Sequence, residues 1–456
     1  MAALAAEHGR VGAGRGRCVL VRGRRRVGKS WLIEQFCSVS NTASVFFTAS
    51  QQGAREPGLF ASEVLSSNLP GRDLFEGADP TSWDAALRLL ASAVGDTPTI
   101  VVIDEFPYLI ADDKTIEATF QKQWDRLLSK RPILLILVGS DIAMMEALNT
   151  HNRAFFQRGV ELIVPPLSPA ETGELVGGVS AADAFDAYLI TGGLPLICTE
   201  WRPGLTMWAY LEAALGEPTS PLIVSAERAL AAEFPREVQA RDVLGRIGAD
   251  HVTFSHIARA GGGMQAASLN RALEILSTKR MITKDLPLSI KPSREARYSI
   301  TDSYLRFWLR FIAPHLAEIE RGRSDRVLAR IRADWTTWRG RAIEPVIREA
   351  LSRLSPIDGL PAAAAVGGFW TRSNKPEIDI VGADRGPIAN TVEYIGSIKW
   401  LEGQPLDQRD LNALIRDRQA IPGTDDTTPI VAVSRSGVTA GGAINLGPDD
   451  LLAAWP

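Results

Sequence analysis

The chain is poor in cysteine and histidine. Cys18, Cys37, Cys198 and five histidines are scattered over 456 residues. Their spacing matches neither a disulfide framework nor a zinc site, which argues against both and suits a reducing compartment. An excess of one charge is also missing, since 50 Lys and Arg against 53 Asp and Glu leave a net charge of −3. A chain-wide basic field is excluded, so any nucleic-acid contact has to be local. No apolar run reaches the roughly 20 residues that cross a bilayer, and no membrane partner is expected. Residues 1–17 lack an apolar core of signal-peptide length, so the expected location is cytoplasmic. No repeat recurs at a solenoid period. What remains is an ordinary globular composition, 45% hydrophobic and 23% charged. The length exceeds one hydrophobic core and implies two or three domains.

Against this background one segment stands out. Gly23-Arg24-Arg25-Arg26-Val27-Gly28-Lys29-Ser30 spells G-x-x-x-x-G-K-[ST]. The apolar run 18–21 before it reads as a buried strand, and 31–36 after it has helical spacing. Strand, loop and helix N-terminus in that order are what phosphate binding requires. The glycines let consecutive N–H groups point at phosphate oxygens, and the helix adds the positive end of its dipole. Lys29 is expected to reach the β- and γ-phosphates and Ser30 to ligate Mg²⁺, with ATP as the ligand.

A second run, 99–103, ends in Asp104 and Glu105. Unbroken apolar residues suit a central parallel strand, whose C-terminal end is where open α/β sheets bind ligands. Asp104 is expected in the Mg²⁺ shell beside Ser30, and Glu105 is expected to orient or deprotonate the attacking water. Lys29, Asp104 and Glu105 are thus the candidate catalytic set. A third run, 132–138, ends at Gly139-Ser140. A small polar residue there can bond the γ-phosphate or the lytic water, although serine also ends strands as a turn former.

Further segments follow in a recognisable order. Arg158 lies in an aromatic stretch at 155–160, and a strand is expected at 161–164. Ser168 and Glu171 have capping-box spacing. Gly192-Gly193-Leu194-Pro195 comes next. With residues 23–30, Asp104-Glu105-Phe106 and Gly139-Ser140, this order resembles the archaeal-type ATPases of the AAA+/STAND group. The resemblance implies an α/β P-loop sheet and a sensor role for Ser140. It also implies a γ-phosphate sensor at Arg158, with a plain surface arginine as the alternative. The Gly-Gly-x-Pro turn is expected near the nucleotide, with a helix stop as the alternative. Nucleotide contacts are assigned to Gly23, Arg24, Arg25, Arg26, Val27, Gly28, Lys29, Ser30, Trp31, Ser140 and Arg158. Ahead of the first strand the chain departs from the group, keeping only a vestige such as Leu4 and Glu7 of the usual leading segment.

The expected domains are an extension at 1–16, an ATPase core at 17–200, a helical linker at 201–236, a winged helix at 237–312 and a last module at 313–456. Three helical segments (238–247, 254–258, 265–277) precede a hairpin (281–286 and 297–300). Asn270, Arg271, Lys279, Lys291, Arg294 and Arg297 form a basic set suited to DNA phosphates, with a solvated face as the alternative. The last module has a helix at 341–354, a hairpin at 369–372 and 377–381, and a strand at 391–400. It resembles the domain of unknown function that follows the ATPase in this group, itself similar to the small α/β fold of PD-(D/E)XK nucleases. By that resemblance Glu344, Asp379 and Lys399 take nuclease positions, while Ser397 stands where a carboxylate or Gln is expected. Serine is a poor metal ligand, so a degenerate nuclease fold used for binding or assembly is expected. Two function classes stay open. One is an ATP-driven switch whose later modules bind a protein partner or DNA. The other is an ATP-controlled DNA nuclease, for instance in defence against foreign DNA.

Overall fold

The computed structural model describes residues 1–456 except 13, 14, 152, 154, 235–237, 249, 355, 356 and 358. Glu237, the expected start of the winged helix, lies outside the described residues. The chain forms two compact units, Met1–Pro166 and Leu167–Pro456.

In the first unit, β1 (Arg17–Arg22), β2 (Ala43–Thr48), β3 (Thr99–Asp104), β4 (Ile133–Gly139) and β5 (Gly159–Ile163) form one parallel sheet. Its strand order is β2-β3-β4-β1-β5. Strands β3 and β4 are buried along their whole length, as unbroken apolar runs demand. One sheet face packs on Phe47, Phe60, Trp83, Phe106 and Phe120, and the other on Leu4, Ile33 and Phe36. Each such fully buried apolar side chain contributes about 1.5–3 kcal/mol. Leu4 and Glu7 are the buried residues of the helix Ala2–Gly9, and Glu7 pairs with Arg17 at the start of β1 at 2.6 Å. The vestigial leading segment is therefore part of the core. Because all five strands run the same way, the loop 23–30, Asp104 and Ser140 fall on one edge of the sheet.

The first unit ends before the Ser168 capping box. In the second unit, Ser168 Oγ accepts from the Glu171 N–H at 3.2 Å, and the Glu171 carboxylate accepts from the Ser168 N–H at 2.7 Å. Gly192 caps the helix Ala181–Thr191 with φ 61°, and Gly193 follows with φ 65°. A Cβ on Gly193 would stand 2.0 Å from the Leu167 carbonyl oxygen. The glycine pair thus acts as a helix stop at a close chain crossing.

Farther along, the helices Val238–Ile247, Phe254–Arg259 and Ala266–Thr278 accompany a small antiparallel sheet of β6 (Val252–Thr253), β7 (Ile282–Asp285) and β8 (Arg297–Ile300), in the order β6-β8-β7. The helix expected at 341–354 spans Glu344–Arg353. Ser324–Ala342 ends just before Glu344–Arg353, whose first turn holds Pro345. The last sheet comprises β9 (Ala365–Trp370), β10 (Glu377–Ala383), β11 (Val392–Lys399), β12 (Ile430–Ser434) and β13 (Ile444–Leu446), in the order β13-β12-β11-β10-β9. Strands β9, β10 and β11 pair antiparallel, and β11, β12 and β13 pair parallel. Among the described residues, no helix is long and apolar enough to cross a membrane.

A buried ion cluster ties this unit together. Asp186, on the helix Ala181–Thr191, accepts from Arg339 at 3.0 Å and Arg435 at 2.9 Å, and Arg339 also reaches Glu402 at 2.7 Å. Burial pushes the Asp186 carboxyl up to about 6, against the pull of Arg339 and Arg435. Asp186→Leu would leave two largely buried guanidinium groups facing each other. The expected loss in urea unfolding is about 3–5 kcal/mol. An unchanged unfolding midpoint would mean that the cluster does not hold these elements together.

Candidate functional site

The loop 23–30 joins β1 to the helix Lys29–Ser40. A Cβ on Gly23 would stand 2.3 Å from the Val164 carbonyl oxygen, so only glycine fits where the chain leaving β5 passes the loop. Positive φ at Arg26 (69°) and Gly28 (86°) turns the loop back on itself. Val27 is buried beneath it, and Arg24 and Arg26 are half-buried. Lys29 Nζ donates to the carbonyls of Gly23 at 2.9 Å and Arg24 at 2.8 Å. Burial lowers the Lys29 pKa, while Glu105 and Asp104 oppose the shift. The ammonium is thus held inside the loop with both carboxylates in electrostatic reach.

Those carboxylates are linked to the loop. Ser30 Oγ donates to Asp104 Oδ2 at 2.7 Å, and the Glu105 N–H donates to Asp104 Oδ1 at 2.9 Å. Glu105 has φ 51°, a left-handed conformation uncommon outside glycine and concentrated at functional sites. The turn presents its carboxylate to Ser140, whose Oγ donates to it at 3.0 Å. Ser30, Asp104, Glu105 and Ser140 therefore form one connected polar line along the C-terminal edge of the sheet. Arg25 donates to the Tyr108 hydroxyl at 2.9 Å, a partner the sequence reading missed. Trp31 is 64% exposed on the first turn of the helix.

The donor set fits Mg²⁺. A hydroxyl and a carboxylate lie side by side at a helix N-terminus, and this ion takes one or two protein oxygens with water and phosphate completing its shell.

Arg158 is the exception. It immediately precedes β5, whose first residue Gly159 is level with Cys18, whereas the loop follows Arg22 at the far end of β1. The separation is four residue rises, roughly 13 Å. Arg158 instead pairs with Asp125 at 2.8 Å. The expected γ-phosphate sensor is not brought to the loop of its own chain, because its place at the start of a parallel strand puts it on the opposite sheet edge.

In the second unit, Glu344 opens its helix, Asp379 lies on β10 and Lys399 ends β11. Asp379 Oδ2 accepts from Ser397 Oγ at 2.9 Å and from the Ile398 N–H at 2.8 Å. Glu344 accepts from Arg348 at 3.0 Å. Burial pushes Glu344 up to about 7 and raises Asp379. Both acids line a cavity of about 480 Å³ together with His251 and Arg297. Burial and the surrounding arginines push His251 down to about 3, so it is neutral there. Lys399 is drawn away and donates to Asp410 at 2.6 Å. It lines a second cavity, of about 290 Å³, with Asp379 and Ser397. Among the described residues, no group of three or more His, Cys, Asp or Glu side chains is arranged to hold a metal. Arg348 and Asp410 were not anticipated. Their signals were the i,i+4 spacing from Glu344 and the capping-box spacing from Asp407.

Part of the basic set is also engaged. Lys279 pairs with Glu233 at 2.9 Å. Arg297 pairs with Glu377 at 2.6 Å and stacks on Trp370 at 4.4 Å. Asn270, Arg271, Lys291 and Arg294 are exposed.

Comparison with known proteins adds the following. Residues 308–412 match the DUF234 family, described as archaea bacterial proteins of unknown function. An uncharacterized protein of Methanocaldococcus jannaschii is 26% identical over 425 residues, covering 91% of this chain and 90% of that one. A second uncharacterized protein of that organism is 32% identical over 74 residues, 16% of this chain and 71% of the other. Among solved structures, the chain is similar to a Walker-type ATPase of Pyrococcus abyssi, with TM-score 0.47, 21% identity, and coverage of 64% of this chain and 90% of that one. It is also similar to the ORC2 protein of Aeropyrum pernix, with TM-score 0.44, 13% identity, and coverage of 73% and 93%. Residues 308–412 thus carry the DUF234 domain, and the first unit has the parallel sheet and glycine loop of a P-loop fold.

Proposed function

We propose that the chain is an ATP-hydrolysing switch whose second unit engages a partner according to the nucleotide state. The carrying observation is the 2.7 Å hydrogen bond between Ser30 and Asp104, with Lys29 enclosed by the loop beside them. Loop N–H groups and Lys29 bind the β- and γ-phosphates, and Ser30 and Asp104 hold the metal side of the nucleotide. Mg²⁺, when bound, supplies neutralising charge to the phosphates. Glu105, held by its backbone turn and by Ser140, orients or deprotonates water.

The three helices and hairpin of 238–300 have the element order of a winged helix. With the C-terminal module they form the partner-binding part. Two of the six basic residues suited to DNA are committed to internal contacts, which favours a protein partner over DNA. The internal pairing of Glu344, Asp379 and Lys399 supports a C-terminal module that binds rather than cuts.

Three outcomes are expected. Lys29→Ala should weaken ATP·Mg²⁺ binding at least ~10²-fold by calorimetry, since it removes the charge that faces the β- and γ-phosphates. Unchanged affinity would remove the nucleotide assignment. Glu105→Gln should keep ATP binding but slow steady-state hydrolysis at least ~10²-fold, the usual size of a general-base contribution. Turnover at the wild-type rate would make Glu105 a bystander. Finally, wild-type protein incubated with ATP, Mg²⁺ or Mn²⁺ and single- or double-stranded DNA should leave the DNA intact. Cleavage that disappears in Asp379→Ala would move the protein to the nuclease class.

A further inference from the structure

Arg348 is a charged residue that neither function class uses, and three separate elements enclose it. Its Nη2 donates to Glu344 Oε2 at 3.0 Å, one turn back on the same helix. Its Nε donates to the main-chain carbonyl of Asp379 on β10 at 2.7 Å. On β9, Gly368 leaves the space that the guanidinium fills, since a Cβ there would stand 3.0 Å from Nη2 and 3.3 Å from Cζ. The side chain is only 15% exposed. Two donors of one planar group, both used, fix its orientation as a single ammonium could not.

We infer that Arg348 is a resident cation of the C-terminal module: it occupies the place between Glu344 and the strand bearing Asp379 to which a divalent ion would otherwise be drawn, and its removal opens a divalent-cation site on those two carboxylates. The chain's own groups now balance each acid. Glu344 has the guanidinium, and Asp379 has the Ser397 hydroxyl and the Ile398 N–H. Removing the guanidinium leaves two half-buried carboxylates without the cation bonded beside them, an arrangement that is costly unless another cation enters. Carboxylate oxygens completed by water suit Mg²⁺ or Mn²⁺. With Arg348 present the module is metal-independent, whatever the nucleotide loop does. The inference does not rest on ATP turnover, so its failure and that of the proposed function are separable.

The test titrates Mn²⁺ into nucleotide-free, full-length protein and follows free Mn²⁺ by electron paramagnetic resonance. Wild type and Asp379→Asn should bind alike, because no Mn²⁺ in the wild type depends on Asp379. Arg348→Ala and the more conservative Arg348→Gln should each gain one saturable site. That site should bind Mn²⁺ at least ~10-fold more tightly, about 1.4 kcal/mol, than the detection limit at which the wild type shows none there. Adding Asp379→Asn to either variant should abolish the new site. A wild-type Mn²⁺ site that vanishes in Asp379→Asn would overturn the inference, and so would a folded Arg348→Gln that gains no site. If both Arg348 variants fail to fold, the wild-type and Asp379→Asn comparison still decides, since an Asp379-dependent site in the wild type refutes it and equal binding supports it.

Discussion

Ser30 and Asp104 are 74 residues apart in the chain and 2.7 Å apart in space, and the first unit is organised around that contact. It requires β1 and β3 to run in the same direction, so that the loop after one and the carboxylate ending the other reach the same edge. It also requires β4 to lie between them, which brings Ser140 level with Glu105. The close passage of Val164 over Gly23 anchors the beginning of the loop. Lys29 then has little freedom, because its ammonium is bonded to two loop carbonyls and desolvated. A cation held this way loses less entropy on meeting phosphate than one free in solution.

The second unit follows a different rule, in which charge is buried and internally balanced. Asp186 sits between Arg339 and Arg435, and these residues link a helix near the start of the unit to the helix Ser324–Ala342 and to the end of β12. Aromatic side chains pack around the same helix, with Phe307 and Trp338 meeting edge to face at 5.6 Å. Buried ion pairs are weak evidence for net stability, but breaking one is costly, so they discriminate against mispacked arrangements. The same rule governs the C-terminal sheet, where Lys399 turns to Asp410 and Arg348 to Glu344. Residues that look solvent-facing or catalytic in the sequence are in several cases counterions for neighbouring elements.

The candidate site was legible where its chemistry is local. Residues 23–30 are contiguous, so the loop and its turn-forming glycines can be read off the chain directly, and the two carboxylates end an apolar run that reads as a buried strand. Most elements were also legible, as in the hairpin of β9 and β10 and the helix Ala266–Thr278. Less was legible where an assignment depended on a distant partner. Arg158 was expected at the nucleotide, but the sheet edge it occupies follows from which end of β5 it flanks. Arg297 and Lys279 belong to a basic set suited to DNA phosphates or to a solvated face, and both are claimed by acids from other elements. The division after Pro166 is not written in local sequence, since the helix Ala181–Thr191 packs on Ser303–Phe307 and Pro448–Leu452, far along the chain.

By itself, the sequence determined that this is an α/β protein with a strand, a glycine loop and a helix in that order, that Asp104 and Glu105 end a central strand, and that helix and strand elements with Glu344, Asp379 and Lys399 come last in the chain. These follow from short-range rules of backbone geometry, apolar periodicity and the fixed reach of a loop. The tertiary structure alone decided which charges meet. It joined Ser30 to Asp104 and Glu105 to Ser140, removed Arg158 from the loop, and gave Glu344 an arginine and Lys399 an aspartate. An ion pair is decided by a few ångströms between atoms of different elements, and those distances are set by strand order and helix packing rather than by spacing along the chain.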